Sequence, residues 1–173
     1  MKRTLLCLAL LLGLVGPMSA QRLVVAYVGA GSDVMPDTRL MTHIDYAFGH
    51  VNETFNGITI SRPERLEAIV AAKGDVKVSL SIGGWGSGRF SEMAATEAGR
   101  KAFALDCARV IRQYGLDGID LDWEYPTSSA AGISSSPEDT ENFTLLMKEI
   151  RAAIGADMLL AAGHQHAGTA HRR

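Results

Sequence analysis

Asp117-Gly118-Ile119-Asp120-Leu121-Asp122-Trp123-Glu124-Tyr125-Pro126 is the stretch on which the reading of this sequence turns. On a β-strand, side chains two positions apart share a face. Asp120, Asp122 and Glu124 then point one way, and Ile119, Leu121 and Trp123 the other. The apolar set suits packing beneath helices, which leaves the acids on the inner side of a sheet or barrel. Unpaired charge is costly there. Carboxylates at steps of about 6.6 Å repel one another unless some hold protons. Such a set marks a site that works by proton transfer. Two plainer readings compete with it, a solvated acidic edge and a cation site. Leu121, Trp123 and the lead-in Tyr114-Gly115-Leu116 argue against a solvated edge, and the segment has no His to favour a metal. No metal ligand set is predicted.

Outward from this segment, short apolar runs alternate with amphipathic stretches. Strands are expected at Leu23 to Gly29, Ile44 to Gly49, Val76 to Ile82, Leu116 to Trp123 and, more weakly patterned, Met158 to Ala162. Pro63 to Lys73 reads as a helix with Leu66, Ile69 and Val70 on one face and Gly74 as its stop. Thr96 to Tyr114 carries a stripe of Phe103, Cys107, Val110, Ile111 and Tyr114. Ser136-Pro137-Glu138-Asp139 reads as a helix start, with Ser as cap, Pro in the first turn and acids at the positive end of the dipole. Phe143, Met147, Ile150 and Ile154 follow on one face. Strands alternating with helices imply an α/β protein with parallel strands and right-handed crossovers. An open doubly wound sheet and a (β/α)₈ barrel both satisfy that pattern. Neither the G-x-G-x-x-G fingerprint nor a P-loop is present, so nothing favours a nucleotide site.

The first twenty residues stand apart. Lys2 and Arg3 precede the apolar run Leu5 to Val15, Gly16-Pro17 breaks it, and Met18-Ser19-Ala20 ends in a small residue. That order is a secretory signal peptide, and the run is too short to span a bilayer. The expected product is a secreted protein, extracellular or periplasmic, that starts at Gln21 and keeps no membrane anchor. The formal net charge of the 173 residues is -2, and loss of Lys2 and Arg3 makes it more negative. Nothing is basic enough to call for nucleic acid or an anionic membrane as a partner. Only Cys107 remains after cleavage, so no internal disulfide forms, and the thiol reads as a small buried apolar group. Asn52-Glu53-Thr54 and Asn142-Phe143-Thr144 fit the glycosylation pattern, which matters only in a eukaryotic secretory pathway.

D-x-x-D-x-D-x-E followed by Tyr-Pro at 117–126 resembles the signature of glycoside hydrolase family 18, the chitinases and their relatives. Ser81-Ile82-Gly83-Gly84-Trp85, at the end of the third expected strand, is similar to the S-x-G-G motif of that family. The two motifs stand in the family's order with a helix between them, and the resemblance runs from about Leu23 to Ile154. It implies the (β/α)₈ barrel. It also implies retaining, substrate-assisted hydrolysis of β-1,4-linked N-acetylglucosamine polymers, a known exception to the two-carboxylate scheme. On that resemblance Glu124 is the general acid and then the base for water. Asp122 holds the acetamido N–H and the developing positive charge, Asp120 shares a proton with Asp122, and Asp117 is structural, as is the Ser81 of the second motif. Gly83 and Gly84 would let the backbone pass close under the sugar. Tyr27, Phe48, Trp85 and Tyr125 are candidates to stack on pyranose rings. No cofactor is implied, and the expected partners are chitin or N-acetylglucosamine oligosaccharides. The family also contains sugar-binding, lectin-like members and endo-β-N-acetylglucosaminidases acting on N-glycans. The lectin-like members typically lack the acid, and Glu124 is present here.

Length sets a further expectation. A (β/α)₈ barrel takes about 250 residues, so residues 21–162 are expected to supply an incomplete (β/α)₈ TIM barrel of about five β/α units. The tyrosine that in the family orients the acetamido oxygen has no counterpart among Tyr27, Tyr46, Tyr114 and Tyr125. After Ala162 the periodicity stops, and residues 163–173, with His164 and His166, read as an irregular tail rather than a metal site. A frameshift, gene fragment or assembly break is expected to have replaced the later strands. The chain itself is expected to be a weakly active or inactive fragment.

Overall fold

The structure is a computed structural model that describes residues 22–163. The expected signal peptide at 1–20 and the tail from His164, His166 included, lie outside the described residues. Five parallel strands form one sheet, in the order β1 (Val25–Gly29), β2 (His43–Val51), β4 (Lys77–Gly83), β5 (Gly118–Asp122) and β6 (Leu159–Ala162). A sixth strand, β3 (Ile58–Ile60), runs antiparallel against the end of β2. The sheet is not closed, and β1 and β6 are its edges. The fold is therefore a partial (β/α) barrel. Each expected strand is found, though the first begins at Val25 rather than Leu23, and the fourth runs from Gly118 to Asp122 rather than from Leu116 to Trp123.

Alternation along the strands separates two faces. Ile44, Tyr46, Val78, Leu80, Ile82, Ile119 and Leu121 are fully buried on the helix side. They meet α1 (Pro63–Ala72), α3 (Glu97–Tyr114) and α4 (Asp139–Ile154) through Leu66, Ile69, Phe103, Cys107, Val110, Leu146 and Ile150. Burying each of these aliphatic side chains is worth about 1.5–3 kcal/mol. Burial pushes the Cys107 thiol far above its usual range, in keeping with an inert core residue. On the other face, register sets Tyr27, Asp45, Ser79 and Gly118 side by side, and in the next row Gly29, Ala47, Ser81 and Asp120.

The helix ends follow local chemistry. The Thr96 hydroxyl accepts from the Gly99 amide at 3.0 Å and caps α3, which Gly115 closes in a left-handed conformation. Helix α4 begins at Asp139, not at Pro137, and Ser136 is not its cap. Asp139 is fully buried and accepts from the Ser136 amide (2.7 Å), the Ser91 hydroxyl (2.7 Å) and the Thr127 amide (3.3 Å). Its carboxylate thus pins the loop that follows β5, and Pro137-Glu138 form the approach turn instead of the first helical turn. Besides a 3₁₀ turn at Thr38–Leu40, one strand and one α-helix have no counterpart among those expected, β3 and the five-residue α2 (Phe90–Ala94). Both are too short to display a period. Helix α2 matters because Phe90 stacks on Trp123, with ring centroids 5.3 Å apart and planes 14° from parallel.

The end of the sheet away from the acidic strand end is fastened by Asp117, which accepts from the Val78 amide and the Lys77 Nζ, both at 2.9 Å, and from the Lys73 Nζ. Burial opposes its charge, but the Lys73, Val78 and Lys77 hydrogen bonds outweigh that and hold its carboxyl below the ordinary value. A carboxyl so depressed stabilises the fold above its unfolded pKa and stops doing so as pH falls through its folded value. Asp117→Asn is expected to cost about 1–3 kcal/mol in urea unfolding at pH 7, since it breaks a largely buried charged network. The gap should close as pH falls below the carboxylate range; equal stability at pH 7 would remove Asp117 from this role.

Candidate active site

The acids gather where β5 ends. Ile119 and Leu121 are fully buried and Trp123 is 2% exposed, all on the helix side, where Trp123 also meets Phe143. This fixes the opposite face of the strand for Asp120, Asp122 and Glu124. Asp120 is 2% exposed, and its Oδ2 accepts from the Tyr27 hydroxyl at 2.9 Å and the Ser81 hydroxyl at 2.8 Å. Asp122 is half-buried, as is Glu124. Burial, then the charges of Glu124 and Asp120, together raise the Asp122 carboxyl to about 6. Glu124 Oε1 accepts from the Tyr125 hydroxyl at 2.9 Å. Asp120 is thus the buried member of the row, Asp122 and Glu124 are both half-buried, and the raised carboxyl of Asp122 lies in the middle.

Of the candidate aromatics, Trp85 and Tyr125 meet beside Glu124, edge to face with centroids 6.4 Å apart, and Trp85 is 66% exposed. Tyr27 is not at a strand end. It lies inside β1, where its hydroxyl is spent on Asp120, and burial, then that hydrogen bond, drive its phenol well above the usual value. It therefore stays protonated as a donor. Phe48 lies within β2, at the bulge between Ala47 and Gly49, and packs on Gly84. The two glycines answer to protein neighbours. A Cβ on Gly83 (φ +131°) would fall 2.0 Å from the Asp122 carbonyl oxygen, and one on Gly84 (φ +91°) would fall 2.9 Å from the Phe48 ring. Close strand contact, rather than clearance for a ligand, is what the structure shows for both.

Asp45 is a member of this face that the motifs did not single out. It is 8% exposed, and burial, followed by the charge of Asp120, raises it to about 6 against a hydrogen bond from Ser79. The signal was present as alternation in His43-Ile44-Asp45-Tyr46, but an acid inside an otherwise apolar run gives no hint of its distant neighbours. A recess of about 640 Å³ lies at the other end of the sheet, lined by Arg22, His43, Lys73, Lys77 and Leu159 among others, away from the acids. Among the described residues, no group of three or more His, Cys, Asp or Glu is placed to hold a metal.

A row of carboxyls at the C-terminal end of a parallel strand, with aromatic rings at its rim, defines the class as a partial (β/α)-barrel protein with an acidic site at the strand ends. The profile of "Glycosyl hydrolases family 18" matches residues 23–169. This chain belongs to that family. It is 41% identical to Chitinase A1 of Niallia circulans over 111 residues, which is 60% of this chain and 16% of that protein. It is 34% identical to Probable chitinase 2 of Drosophila melanogaster over 170 residues, 84% of this chain and 34% of that protein. The crystal structure of the chitinase domain of the spore coat protein CotE from Clostridium difficile superposes with a TM-score of 0.79 at 40% identity, covering 84% of this chain and 43% of that one. The chain thus spans no more than about a third of the length of these two curated relatives.

The raised carboxyls have a measurable sign. A carboxyl whose folded pKa exceeds its unfolded value stabilises the fold most below about pH 4 and loses that contribution as pH rises through about 6. The thermal midpoint is therefore expected to fall between pH 5 and pH 7.5, and to fall less in Asp122→Asn. Parallel curves for the two proteins would contradict the burial of this carboxyl.

Proposed function

We propose that this chain carries the catalytic acid face of a chitinase-type hydrolase that cleaves β-1,4-linked N-acetylglucosamine polymers with retention of configuration. The observation that carries the reading is the row formed by buried Asp120 and half-buried Asp122 and Glu124 along β5 and just past its end. Glu124, outermost and oriented by Tyr125, protonates the glycosidic oxygen. The acetamido oxygen of the sugar then closes on its own anomeric carbon, and the bond to the leaving group breaks. Asp122 receives the acetamido N–H and balances the positive charge that develops. Asp120, held by Tyr27 and Ser81, shares a proton with Asp122. Glu124, now ionised, takes a proton from the water that opens the cyclic intermediate. Trp85 and Tyr125 offer the ring faces on which a pyranose stacks.

Secretion and chitin binding belong to the same proposal. The basic start, apolar run and small-residue end of residues 1–20 support export. No helix among the described residues is long and apolar enough to cross a membrane.

Glu124→Gln keeps the shape of the side chain and removes its proton. Its turnover of an aryl chitobioside is expected to drop about 10²- to 10⁴-fold with the fold intact by circular dichroism. Equal turnover in the two overturns the reading. Trp85→Ala is expected to weaken binding of a chitooligosaccharide by about 1–2 kcal/mol in a titration followed by NMR, leaving the unfolding midpoint nearly unchanged because the ring is exposed.

A further inference from the structure

Asp45 has no part in the scheme above, yet a buried carboxyl in an α/β sheet is rare without a partner or a task. It comes from β2, two strands away from Asp120, and stands directly beside Tyr27 in the β1–β2 register. Tyr27 donates its hydroxyl proton to Asp120, not to Asp45. The groups that face Asp45 are therefore Tyr27 from β1, Ser79 from β4 and Asp120 from β5. The basic groups on the same face lie at the far end and are engaged elsewhere. His43 shares a hydrogen bond with Thr42 at 2.9 Å, and Lys77 donates to Asp117. Asp45 thus sits on the same face as Asp120 and feels its charge, and among the described residues no lysine or arginine donates to either carboxyl.

We propose that Asp45 is a positioning residue for the Asp120–Asp122 pair, its charge behind the pair helping to keep one proton on it. The inference rests on the hydrolase reading only for its consequence. The electrostatic coupling exists whether or not the chain turns over a substrate. When Asp45 is ionised, a second negative charge lies behind Asp120, and releasing the proton from the pair becomes harder. When Asp45 is protonated or replaced by Asn, that obstacle is gone. Burial supports the role, because 8% exposure for Asp45 and 2% for Asp120 leave little water to screen the two charges. A purely structural Asp45 would fill space and accept from Ser79, which Asn also does.

The experiment is a carboxyl ¹³C NMR titration of the full chain and of Asp45→Asn, between pH 3 and pH 9. In the parent, the Asp45, Asp120 and Asp122 signals are expected to share the same multistep curves, as coupled sites do. In Asp45→Asn, the proton affinity of the pair is expected to fall about tenfold, moving its last step by roughly one pH unit towards acid. Independent one-step curves in the parent overturn the proposal without any variant, which keeps it testable if Asp45→Asn does not fold. An unmoved last step in a folded Asp45→Asn overturns it as well. Neither outcome touches the role of Glu124, which the chitobioside assay tests separately. If the chain hydrolyses the chitobioside, the alkaline limb of kcat/KM moves to lower pH in Asp45→Asn, and a limb that stays in place counts against the coupling.

Discussion

Strand β5 is hydrogen-bonded on both sides, to β4 and to β6, and so has no freedom to rotate about its axis. Its alternation is fixed, and with it the fate of every side chain from Gly118 to Glu124. Ile119, Leu121 and Trp123 go under the helices, so the acids have to go inward. A one-residue slip would bury three carboxylates among Leu80, Phe103 and Ile150 and expose three of the best core residues. The same pairing explains Gly83, since β4 approaches the Asp122 backbone too closely for any Cβ. Tyr27 and Ser81 then supply the donors that make a nearly dry Asp120 tolerable. The site is a consequence of the core, seen from its other side.

The acids of this chain divide by what surrounds them. Asp117 has two lysines and a backbone amide, which more than offset burial, and it is held ionised. Asp45 and Asp122 have hydroxyls and other carboxyls for company, and each is pushed up to about 6. Their linkages to folding have opposite signs. Asp117 stabilises where it is charged, whereas the two inner acids stabilise where they are neutral. Among the described residues, Lys73 and Lys77 thus serve Asp117 at one end of the sheet, while no lysine or arginine hydrogen-bonds to Asp45, Asp120 or Asp122. Burial first, and repulsion among the inner acids second, raises these carboxyls, so the acidic end of the sheet is the end that weakens the fold at neutral pH.

The strands and the long helices were legible because each repeats its period often enough to be seen, as in the Phe103, Cys107, Val110 and Ile111 stripe. The acids of β5 were legible for the same reason, three of them alternating with three apolar residues. Where sequence reading failed, the cause was range. Asp139 is the expected first-turn acid, but Ser136 is not the cap, and the partners that hold Asp139, Ser91 and Thr127, are 48 and 12 residues away. The bond from the Tyr27 hydroxyl to Asp120 was not legible because its partner lies 93 residues along the chain. Asp45 carried no mark at all, since one acid in an apolar strand reads the same whether it faces water or Asp120. Strand β3 and helix α2, at three and five residues, are shorter than any period that would reveal them.

The Tyr27 to Asp120 hydrogen bond also says something about the shape of the sheet. β1 and β5 are separated by two strands, β2 and β4, which in a flat sheet would set them roughly 14 Å apart. Side chains in a flat sheet stand perpendicular to it and parallel to one another, so a phenol on one strand does not meet a carboxylate three strands over. A 2.9 Å contact between them requires the sheet to curl until its inner faces converge. The curl is present although the edges β1 and β6 do not meet. Closure of a barrel is thus not what bends this sheet. Strand twist, the bulge at Ala47 to Gly49 and the bulk of the helices on the outside have already done so. Curvature brings Tyr27, Ser81 and Asp120 into hydrogen-bonding contact, with Asp45 beside Tyr27 in the register.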